Sequence, residues 1–282
     1  MFQWESPIAR RSLENLIASS APFPSTFRST MKKKLLLATS LIVLSLFPAF
    51  AAENNQIAES QQKWIANYQK QANVPKPESM LLNTSPEPSL NKDFVRLYNG
   101  KNLDGWTPYG GHCAFEAKGD VIVGTTIPGS PSTYLSTLKD DYADFIFTAE
   151  LRWEIDGNTG FMFRGQVKVD AKGKQTVFGP QAEMEADSKK RFWSGGIYGQ
   201  SCGGWYYPLW LKAHEKARNA VNYDGWNRIT VESIGNLSKT WINGVPAAQW
   251  KNDEYLRGFF SLQIHSGKEG SVLFRNIKVK EL

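Results

Sequence analysis

Several signatures of common enzyme classes are absent from this chain of 282 residues. It contains no Walker phosphate loop, no glycine-rich dinucleotide motif, no HExxH pair and no CxxC pair. Their absence argues against a nucleotide-dependent enzyme, a zinc protease and a thiol redox protein. The main domain also lacks the long 3.6-residue periodicity that is typical of helical folds.

Cysteine is scarce, with two residues in the whole chain. Cys113 and Cys202 both follow a leader that predicts export, and an oxidising compartment would permit a disulfide between them. Sequence separation says nothing about their distance in space. Two free buried thiols therefore remain the alternative.

The leader has the pattern of a secretory signal peptide. Met31 to Lys34 is basic, Leu35 to Phe47 is an apolar run too short to favour a membrane span, and Ala49-Phe50-Ala51 is a small-x-small cleavage site. The pattern predicts a signal peptide over residues 31–51, an upstream extension over residues 1–30, export, and no stable membrane span after cleavage. The alternative is a leader retained as a membrane anchor.

Residues 1–51 form a basic stretch that supplies most of the net charge of +6. Without it the chain is close to neutral, so the electrostatic support for nucleic-acid binding disappears. No nucleic-acid partner is predicted.

A polar segment over residues 52–90 precedes the main domain. Gln56 to Gln71 is compatible with one short helix, and Val74 to Leu90, with four prolines, is typical of a linker. The apolar stripe of that helix would be Trp64, Ile65 and Tyr68. From Asn91 the composition becomes that of a packed β domain, which we expect over residues 91–282.

Alternation of apolar and polar residues predicts strands in this domain. Asp144 to Glu154 alternates cleanly, and Asn243-Gly244 is a strong hairpin signal. Further strands are predicted at Asn227–Ser233, Lys239–Ile242, Phe259–His265 and Val272–Lys280. The spacing of Phe274 and Ile277 requires a bulge near Arg275-Asn276 if both are to face the core. The pattern predicts an antiparallel sandwich or jelly roll.

Three acids stand at alternate positions between Gln181 and Asp187. In a strand, Glu183, Glu185 and Asp187 would line one face, and repulsion would raise the pKa of one of them. A protonated and an ionised carboxyl group are the acid and base of glycoside chemistry. The alternative is a solvated strand face whose acids meet Lys or Arg on the next strand.

Other polar side chains could join these acids. Gln263 and His265 project opposite to the apolar face of their strand, and Arg164 ends a short strand that begins at Gly160. Arg164 would either neutralise the acids or stabilise an oxyanion on a substrate. No cofactor is predicted, although a divalent metal is compatible with four of these side chains. Those four are Glu183, Glu185, Asp187 and His265.

Aromatic residues and glycines alternate between Arg191 and Trp210, which indicates a loop. Trp193, Tyr198 and Trp205 would offer flat faces to sugar rings. The alternative is a minor core beneath a long loop.

An ordered series of motifs runs through residues 91–282. The opening motif is FVRLYNGKNLDGW, residues 94–106. The later motifs are Gly160 to Arg164, the acidic strand Glu183 to Asp187, Gly196 to Gly199, Trp226-Asn227, Asn243-Gly244, Gln263-x-His265 and Phe274 to Ile277. Taken together, these motifs resemble the bacterial 3-keto-disaccharide hydrolase family. Glu185 is an acid that the family strand does not usually carry.

The resemblance implies an all-β, concanavalin A-like jelly roll of two antiparallel sheets with a groove on its concave face. It implies location in the bacterial periplasm or outside the cell, and a carbohydrate or glycoside substrate. The expected activity is cleavage of the glycosidic bond in 3-keto disaccharides or related glycosides, by hydrolysis or by elimination.

Roles for the candidate residues follow from that expectation. His265 or Glu183 would act as base, Arg164 would stabilise an enolate, and Asp187 would orient a partner. The predicted substrate-binding residues are Glu185, Trp193, Tyr198, Trp205 and Gln263. The alternatives are a carbohydrate-binding module without activity and a glucanase-type hydrolase with two carboxylates.

Overall fold

Strand-forming sequence dominates residues 55–282, the part of the chain that the computed structural model describes. The signal peptide predicted over residues 31–51 and the extension before it lie outside the described residues. Within residues 55–282, every helix is too short or too polar to cross a bilayer.

The regular elements of this part of the chain are short helices and antiparallel strands. The helices are α1 (Gln62–Tyr68) and α2 (Glu215–Arg218), with 3-10 turns at Glu59–Gln61, Pro77–Ser79, Asp187–Lys189 and Lys212–His214. The strands are β1 (Leu81–Leu82), β2 (Val95–Arg96), β3 (Trp106–Gly110), β4 (Ala114–Lys118), β5 (Val121–Thr125), β6 (Thr133–Thr137), β7 (Phe145–Ile155), β8 (Thr159–Val169), β9 (Gln175–Met184), β10 (Ile197–Gln200), β11 (Gly204–Tyr207), β12 (Asn227–Ile234), β13 (Leu237–Ile242), β14 (Val245–Lys251), β15 (Phe259–Ile264) and β16 (Ser271–Glu281).

Two antiparallel sheets pack face to face. Within residues 55–282, one has nine strands in the order β1-β14-β13-β12-β7-β16-β5-β4, with β2 beside β16. The other has seven, in the order β11-β10-β9-β8-β15-β6-β3. This arrangement confirms the antiparallel sandwich that the alternation pattern predicted and the concanavalin A-like jelly roll that the family resemblance implied.

The core lies between the sheets because each strand turns its apolar positions inward. Phe147 and Leu151 of β7 and Phe260 of β15 are almost fully buried. Rings from the opposed sheets meet directly: the centroids of Phe147 and Phe260 are 4.5 Å apart in a stacked pair. Burial of a Phe side chain contributes about 1.5–3 kcal/mol to folding, so these contacts fix how the sheets face each other.

Two local predictions are confirmed. Asn243 and Gly244 join β13 to β14 with φ of 51° and 84°, as a tight hairpin turn requires. In β16 the pairing with β7 shifts register after Arg275, and Asn276 has φ 51°. The bulge turns both Phe274 and Ile277 into the core.

The sheet of seven strands is strongly curved. The side-chain Oε1 of Gln175 on β9 accepts a hydrogen bond from the backbone N–H of Gly110 on β3, at 3.3 Å, although three strands separate them in the sheet. The face turned away from the core is therefore concave. A small apolar cluster at one end of this concave face comprises Tyr134, Met162, Val177 and Phe259.

The segment before the β domain packs against it. β1 pairs with β14, the side chain of Asn83 donates to the carbonyl oxygen of Thr240 at 3.0 Å, and Glu87 bonds Arg228. The helix predicted over residues 56–71 is confined to α1 and the 3-10 turn before it. Residues 74–90, predicted as a linker, lie along the sandwich.

Cys113 and Cys202 are both free thiols. Cys113 is buried beside the carbonyl of Pro131, whereas the sulfur of Cys202 meets the hydroxyl of Tyr206 at 3.1 Å. Of the two alternatives that the sequence left open, the structure shows the free thiols and not the disulfide, with Cys113 buried and Cys202 half-buried.

Candidate functional site

A row of polar side chains crosses the concave face at its centre. In the ladder, Tyr134 on β6 is opposite Gln263 on β15, Gln263 is opposite Gly160 on β8, and Gly160 is opposite Glu183 on β9. Directly opposite residues share a face, so Tyr134, Gln263 and Glu183 point the same way. Gln181, two residues before Glu183, joins them because side chains alternate along a strand.

Hydrogen bonds link these side chains into one chain, which we call the Glu183 row. The amide nitrogen of Gln181 donates to Glu183 Oε2 at 2.7 Å and to Gln263 Oε1 at 3.0 Å. Gln263 Nε2 in turn bonds the hydroxyl of Tyr134 at 3.1 Å. At the other end, Asn158 Nδ2 donates to Glu183 Oε1 at 2.7 Å.

Gly160 makes this geometry possible. A Cβ at that position would lie 2.5 Å from Nε2 of Gln181, closer than real Cβ atoms approach. The Gln181 side chain crosses β8 in the space left by the missing side chain and reaches Gln263 on the next strand. Any larger residue at position 160 would break the row.

Two amide oxygens beside Glu183 have no hydrogen-bond partner within residues 55–282. They are Oε1 of Gln181, whose side chain is 1% exposed, and Oδ1 of Asn158. Buried acceptors in native proteins are almost always paired. Both oxygens therefore retain unused acceptor capacity.

Glu183 is buried, and within residues 55–282 it forms no ion pair. Burial raises the pKa of its carboxyl group, while the amide donors and the positive charges of Arg191 and Lys189 oppose that rise. The pKa of Tyr198 is also raised, mainly by burial and to a smaller extent by the negative charge of Glu183. Glu183 therefore holds its proton to higher pH than an exposed glutamate does.

Glu185 has different surroundings because β9 ends at Met184. Its Oε1 accepts from Nε of Arg191, and its Oε2 accepts from the backbone N–H of Trp193 at 2.9 Å. Burial raises the pKa of Glu185 to about 7, against the attraction of Arg191. Both oxygens are engaged by the protein, so the predicted contact of Glu185 with substrate is not supported.

Asp187 also leaves the predicted face. It begins a 3-10 turn, and its carboxylate pairs with Lys190 at the surface. The prediction that three acids line one strand face is wrong, because the strand alternation stops before the second acid. Of the three, Glu183 alone lies on the strand.

Arg164 does not meet the acids. It occupies a bulge of β8 with φ 50°, and its guanidinium donates to the carbonyls of Ala143 at 2.6 Å and Tyr255 at 3.2 Å. The side chain is 2% exposed. Its donors are engaged by these carbonyls and by the carboxylate of Asp144 at 3.5 Å, so the predicted pairing with Glu183, Glu185 and Asp187 is wrong and an oxyanion role has no support.

His265 follows the last residue of β15 and is exposed. Its ring Nδ1 lies 2.7 Å from the carbonyl oxygen of Ser266, and its backbone N–H donates to the carbonyl of Asn158 at 3.3 Å. Among the described residues no hydrogen bond joins its ring to Glu183. The backbone contact with Asn158 nevertheless places His265 next to the end of the Glu183 row.

The aromatic loop is mostly interior. Trp193 is 0% exposed and Trp205 is 1% exposed, so neither presents a free ring face. Their ring centroids are 4.9 Å apart in an edge-to-face contact. The prediction that they stack on sugars is wrong, and the alternative of a minor core is the one observed. Tyr198 is half-buried beside Gln181, and its contact with substrate stays a prediction.

Arg191 is the cation that the sequence reasoning missed. Its guanidinium carbon lies 5.0, 5.2 and 5.1 Å from the ring centroids of Tyr68, Trp193 and Trp205. This charge near the Glu183 row is where Arg164 was expected. No local pattern marks it, since its partners come from three separate parts of the chain.

Gln181, Asn158 and Tyr134 were also missed. Gln181 was detectable, because it alternates in step with Glu183 on the same predicted strand. Asn158 and Tyr134 reach the site only through the pairing of β8 and β6 with their neighbours.

Metal ligands do not gather at this site. Within residues 55–282, no group of three or more His, Cys, Asp and Glu side chains is arranged to hold a metal ion. The four residues considered as ligands are separated because Glu185 is bound to Arg191 and Asp187 to Lys190.

The two packed sheets and the Glu183 row define a jelly-roll β-sandwich with a polar concave face. Residues 93–280 match the family described as the 3-keto-alpha-glucoside-1,2-lyase-like domain, and the chain belongs to that family. The family is the one that the ordered motifs resemble.

Solved structures share parts of this architecture. A Parabacteroides distasonis protein provisionally described as a glycosyl hydrolase is 20% identical, with 67% of this chain and 94% of that chain covered and a TM-score of 0.47. The carbohydrate-binding module CBM66 from Bacillus subtilis is 14% identical, with 64% and 98% covered and a TM-score of 0.43. A Bacillus subtilis protein of unknown function with a galectin-like fold is 12% identical, with 70% and 98% covered and a TM-score of 0.47. No curated protein matches this chain.

Proposed function

We propose that this protein cleaves the glycosidic bond of a glycoside whose sugar carries a ketone at C3, with Glu183 as a proton-transfer group. Membership of the family supports the substrate class. The observation that carries the proposal is a buried carboxyl group with a raised pKa, flanked by two amide oxygens that lack donors.

The chemistry follows from the ketone. A C3 carbonyl acidifies the proton on C2, and a base removes that proton while the electron pair forms an enolate on C2, C3 and the ketone oxygen. The electrons then return to form the C1=C2 double bond as the C1–O bond breaks, and the leaving oxygen takes a proton. Water can afterwards add across C1=C2, with its oxygen on C1 and a proton on C2, to give the hydrolysis product.

Glu183 suits the acid in this sequence. Burial keeps its carboxyl group protonated to higher pH than an exposed glutamate, so it has a proton to give to the leaving oxygen. His265, whose backbone bonds Asn158 beside Glu183, is the candidate for the base that removes the C2 proton. Gln181 and Asn158 would accept hydrogen bonds from sugar hydroxyls.

The glucanase-type route has less support. That mechanism needs two carboxyl groups, about 5–10 Å apart, that are free to face the same glycosidic bond. Glu185, the neighbouring acid, is bound to Arg191 and to the backbone of Trp193. The ketone route needs only one carboxyl group together with a base.

A substrate panel tests the proposal. Purified protein is given a 3-keto disaccharide and the parent disaccharide, and the products are followed by mass spectrometry, with Glu183→Gln as the inactive control. We expect only the 3-keto sugar to be cleaved, to an unsaturated keto sugar or to its hydrated form. Equal cleavage of the parent sugar would indicate the glucanase route. Saturable binding of both sugars with no product would indicate a binding module.

We also propose that the protein is exported and processed. The basic and apolar leader with Ala49-Phe50-Ala51 supports cleavage before Ala52. N-terminal sequencing of protein from the medium or periplasm should return Ala52. A sequence that starts at Met1 or Met31 would contradict this proposal.

A further inference from the structure

We propose that residues 55–74 complete the carbohydrate site, and that Tyr68 on α1 is a positioning residue that holds Arg191 beside Glu183. These residues lie outside the part of the chain that matches the family, residues 93–280. The inference rests on the proposed function and adds to it a charged group, Arg191, and the element that orients it.

The segment is firmly docked on the loop that follows β9. The N–H of Ala58 donates to the carbonyl of Trp210 at 2.9 Å, and Oε1 of Gln61 accepts from the indole N–H of Trp193 at 2.7 Å. Gln61 is 3% exposed and Trp193 is 0% exposed. A buried donor or acceptor that loses its partner is energetically costly. The hydrogen bond between Gln61 and Trp193 therefore stabilises the conformation of both the segment and the loop.

The turn between β10 and β11 and the start of β11 are also shaped to receive the segment. Oε1 of Gln71 accepts from the backbone N–H of Trp205 at 3.0 Å. A Cβ at Gly204, where φ is +90°, would lie 2.3 Å from that same oxygen. Asn73 donates to the carbonyl of Cys202 at 2.6 Å. Glycine at position 204 therefore serves both the backbone conformation and the approach of Gln71.

Tyr68 is the point where the segment reaches the charged group. Its hydroxyl accepts from Nη1 of Arg191, and its ring meets Trp193 edge to face with centroids 5.1 Å apart. Nε of Arg191 is bound to Glu185. Because Nε and Nη1 both have fixed partners, the guanidinium has a single orientation. Its third nitrogen, Nη2, forms no hydrogen bond within residues 55–282.

Arg191 is close enough to act on the site electrostatically. Its positive charge lowers the pKa of Glu183 against the effect of burial, and does the same for Tyr198. A fixed guanidinium near a forming enolate stabilises negative charge in the transition state more than in the bound substrate. Loss of its orientation should therefore lower kcat more than it raises KM.

The test compares two Tyr→Phe variants of the full chain. Tyr68→Phe removes the hydroxyl that bonds Arg191 and keeps the ring. Tyr98→Phe is the matched control, because its hydroxyl bonds the carbonyls of Gly119 and Val121, away from the Glu183 row. On a 3-keto disaccharide we expect kcat of Tyr68→Phe to fall roughly tenfold with KM nearly unchanged, as for the loss of one charge-assisted hydrogen bond. The control should keep its kcat, and equal kcat values in both variants would overturn the inference.

A second readout does not depend on activity. The carboxyl group of Glu183 is titrated by ¹³C NMR in the wild type, Tyr68→Phe, Tyr98→Phe and Arg191→Gln. The charged and titratable groups around it are Arg191, Lys189, Glu185, Tyr134 and Tyr198. We expect the midpoint to rise in Arg191→Gln and, by less, in Tyr68→Phe. A midpoint that moves in Arg191→Gln and not in Tyr68→Phe would refute the positioning role.

The two proposals fail in different ways. A wild type that cleaves no 3-keto glycoside would end the proposed function, while the titration would still report whether Tyr68 orients Arg191. A wild type that is active, with Tyr68→Phe equal to it in both kcat and midpoint, would end this inference and leave the proposed function standing.

Discussion

Glu183 and Glu185 are two residues apart and both are buried, yet the protein surrounds them differently. Glu183 lies on β9, and the donors to its carboxyl group in the described part of the chain are the neutral amides of Asn158 and Gln181. Glu185 lies beyond the strand and is bound by Arg191 and the backbone of Trp193. The hydrogen-bond donors to Glu183 are amides, whereas Glu185 is paired with a cation.

The difference suits Glu183 to proton transfer and Glu185 to a structural ion pair. A buried carboxyl group with no cation hydrogen-bonded to it holds its proton to higher pH, which is the property that the proposed role of Glu183 requires. A buried carboxylate that pairs with arginine becomes part of the packing, and breaking such a pair leaves an unpaired charge in the interior. The predictions below test this contrast, beginning with the largest expected effect.

Glu183→Gln should remove most activity. The amide keeps the size of the side chain and can still bond within the row, but it cannot transfer a proton. We expect kcat on a 3-keto disaccharide to fall by roughly 10²–10⁴-fold, the usual contribution of a positioned acid or base. Thermal unfolding is the control and should change little. An active Glu183→Gln variant would remove the distinction between the two acids.

Glu185→Gln should act on stability instead. It leaves Arg191 without its carboxylate in a mostly buried place, where the loss of one partner costs about 3–5 kcal/mol. Urea unfolding, monitored by tryptophan fluorescence, measures this change. Glu183→Gln is the matched control with the same chemical change two residues away. A loss of stability in the control as large as that in Glu185→Gln would contradict the contrast.

Trp205→Ala should also destabilise the protein, by about 3–5 kcal/mol, as expected for removal of a fully buried aromatic side chain. The ring packs on Trp193 and faces Arg191, on the Glu185 side of the site. Sugar affinity, measured by calorimetry on the folded variant, should change less than stability. A stable variant with weak sugar binding would instead restore the interpretation of Trp205 as a stacking platform.

The stability of the protein should fall as pH rises from about 4.5 to about 7. Glu185 has a folded pKa of about 7 against an ordinary value of 4.5. The unfolded chain therefore releases its proton first, which favours unfolding until the folded state also ionises. Glu183 adds to the fall in the same direction because its pKa is also raised. Urea midpoints measured from pH 4 to pH 8 should decline, and less steeply in Glu183→Gln.

Asp187→Asn should have the smallest effect. Asp187 is at the surface and pairs with Lys190, an exposed ion pair of the kind that contributes about 0–1 kcal/mol. Activity and unfolding midpoint should both stay close to those of the wild type. A marked loss of activity would mean that the third acid reaches the substrate in spite of its place beyond the strand.

Short-range patterns were enough to predict much of the fold. The alternation of Phe260, Leu262 and Ile264 identified β15 and its buried face, and the spacing of Phe274 and Ile277 located the bulge of β16. Asn243-Gly244 identified a hairpin. In each case the residues that decide the conformation are neighbours along the chain, so the physical cause can be read locally.

Partners of buried groups could not be predicted in this way. Arg164 seemed available to the acids, but its donors are taken by the carbonyls of Ala143 and Tyr255, more than twenty residues before it and more than ninety after it. Trp193 and Trp205 appeared to belong to an open loop, but they are covered by the segment that contains Tyr68. Such contacts depend on which elements meet in space.

The sequence by itself determined an antiparallel β-sandwich, the polar face of β15 and the identity of Glu183 as a candidate, because alternation and turn chemistry act between near neighbours. The resemblance of its ordered motifs to a family added the jelly-roll topology. Only the tertiary structure decided where β9 stops, and therefore that Glu185 pairs with Arg191 while Glu183 remains among amides. It also decided that Tyr134, Gln181, Gln263 and Asn158 form one hydrogen-bonded row. Strand register and burial set those environments, and both arise from packing of segments that are distant along the chain.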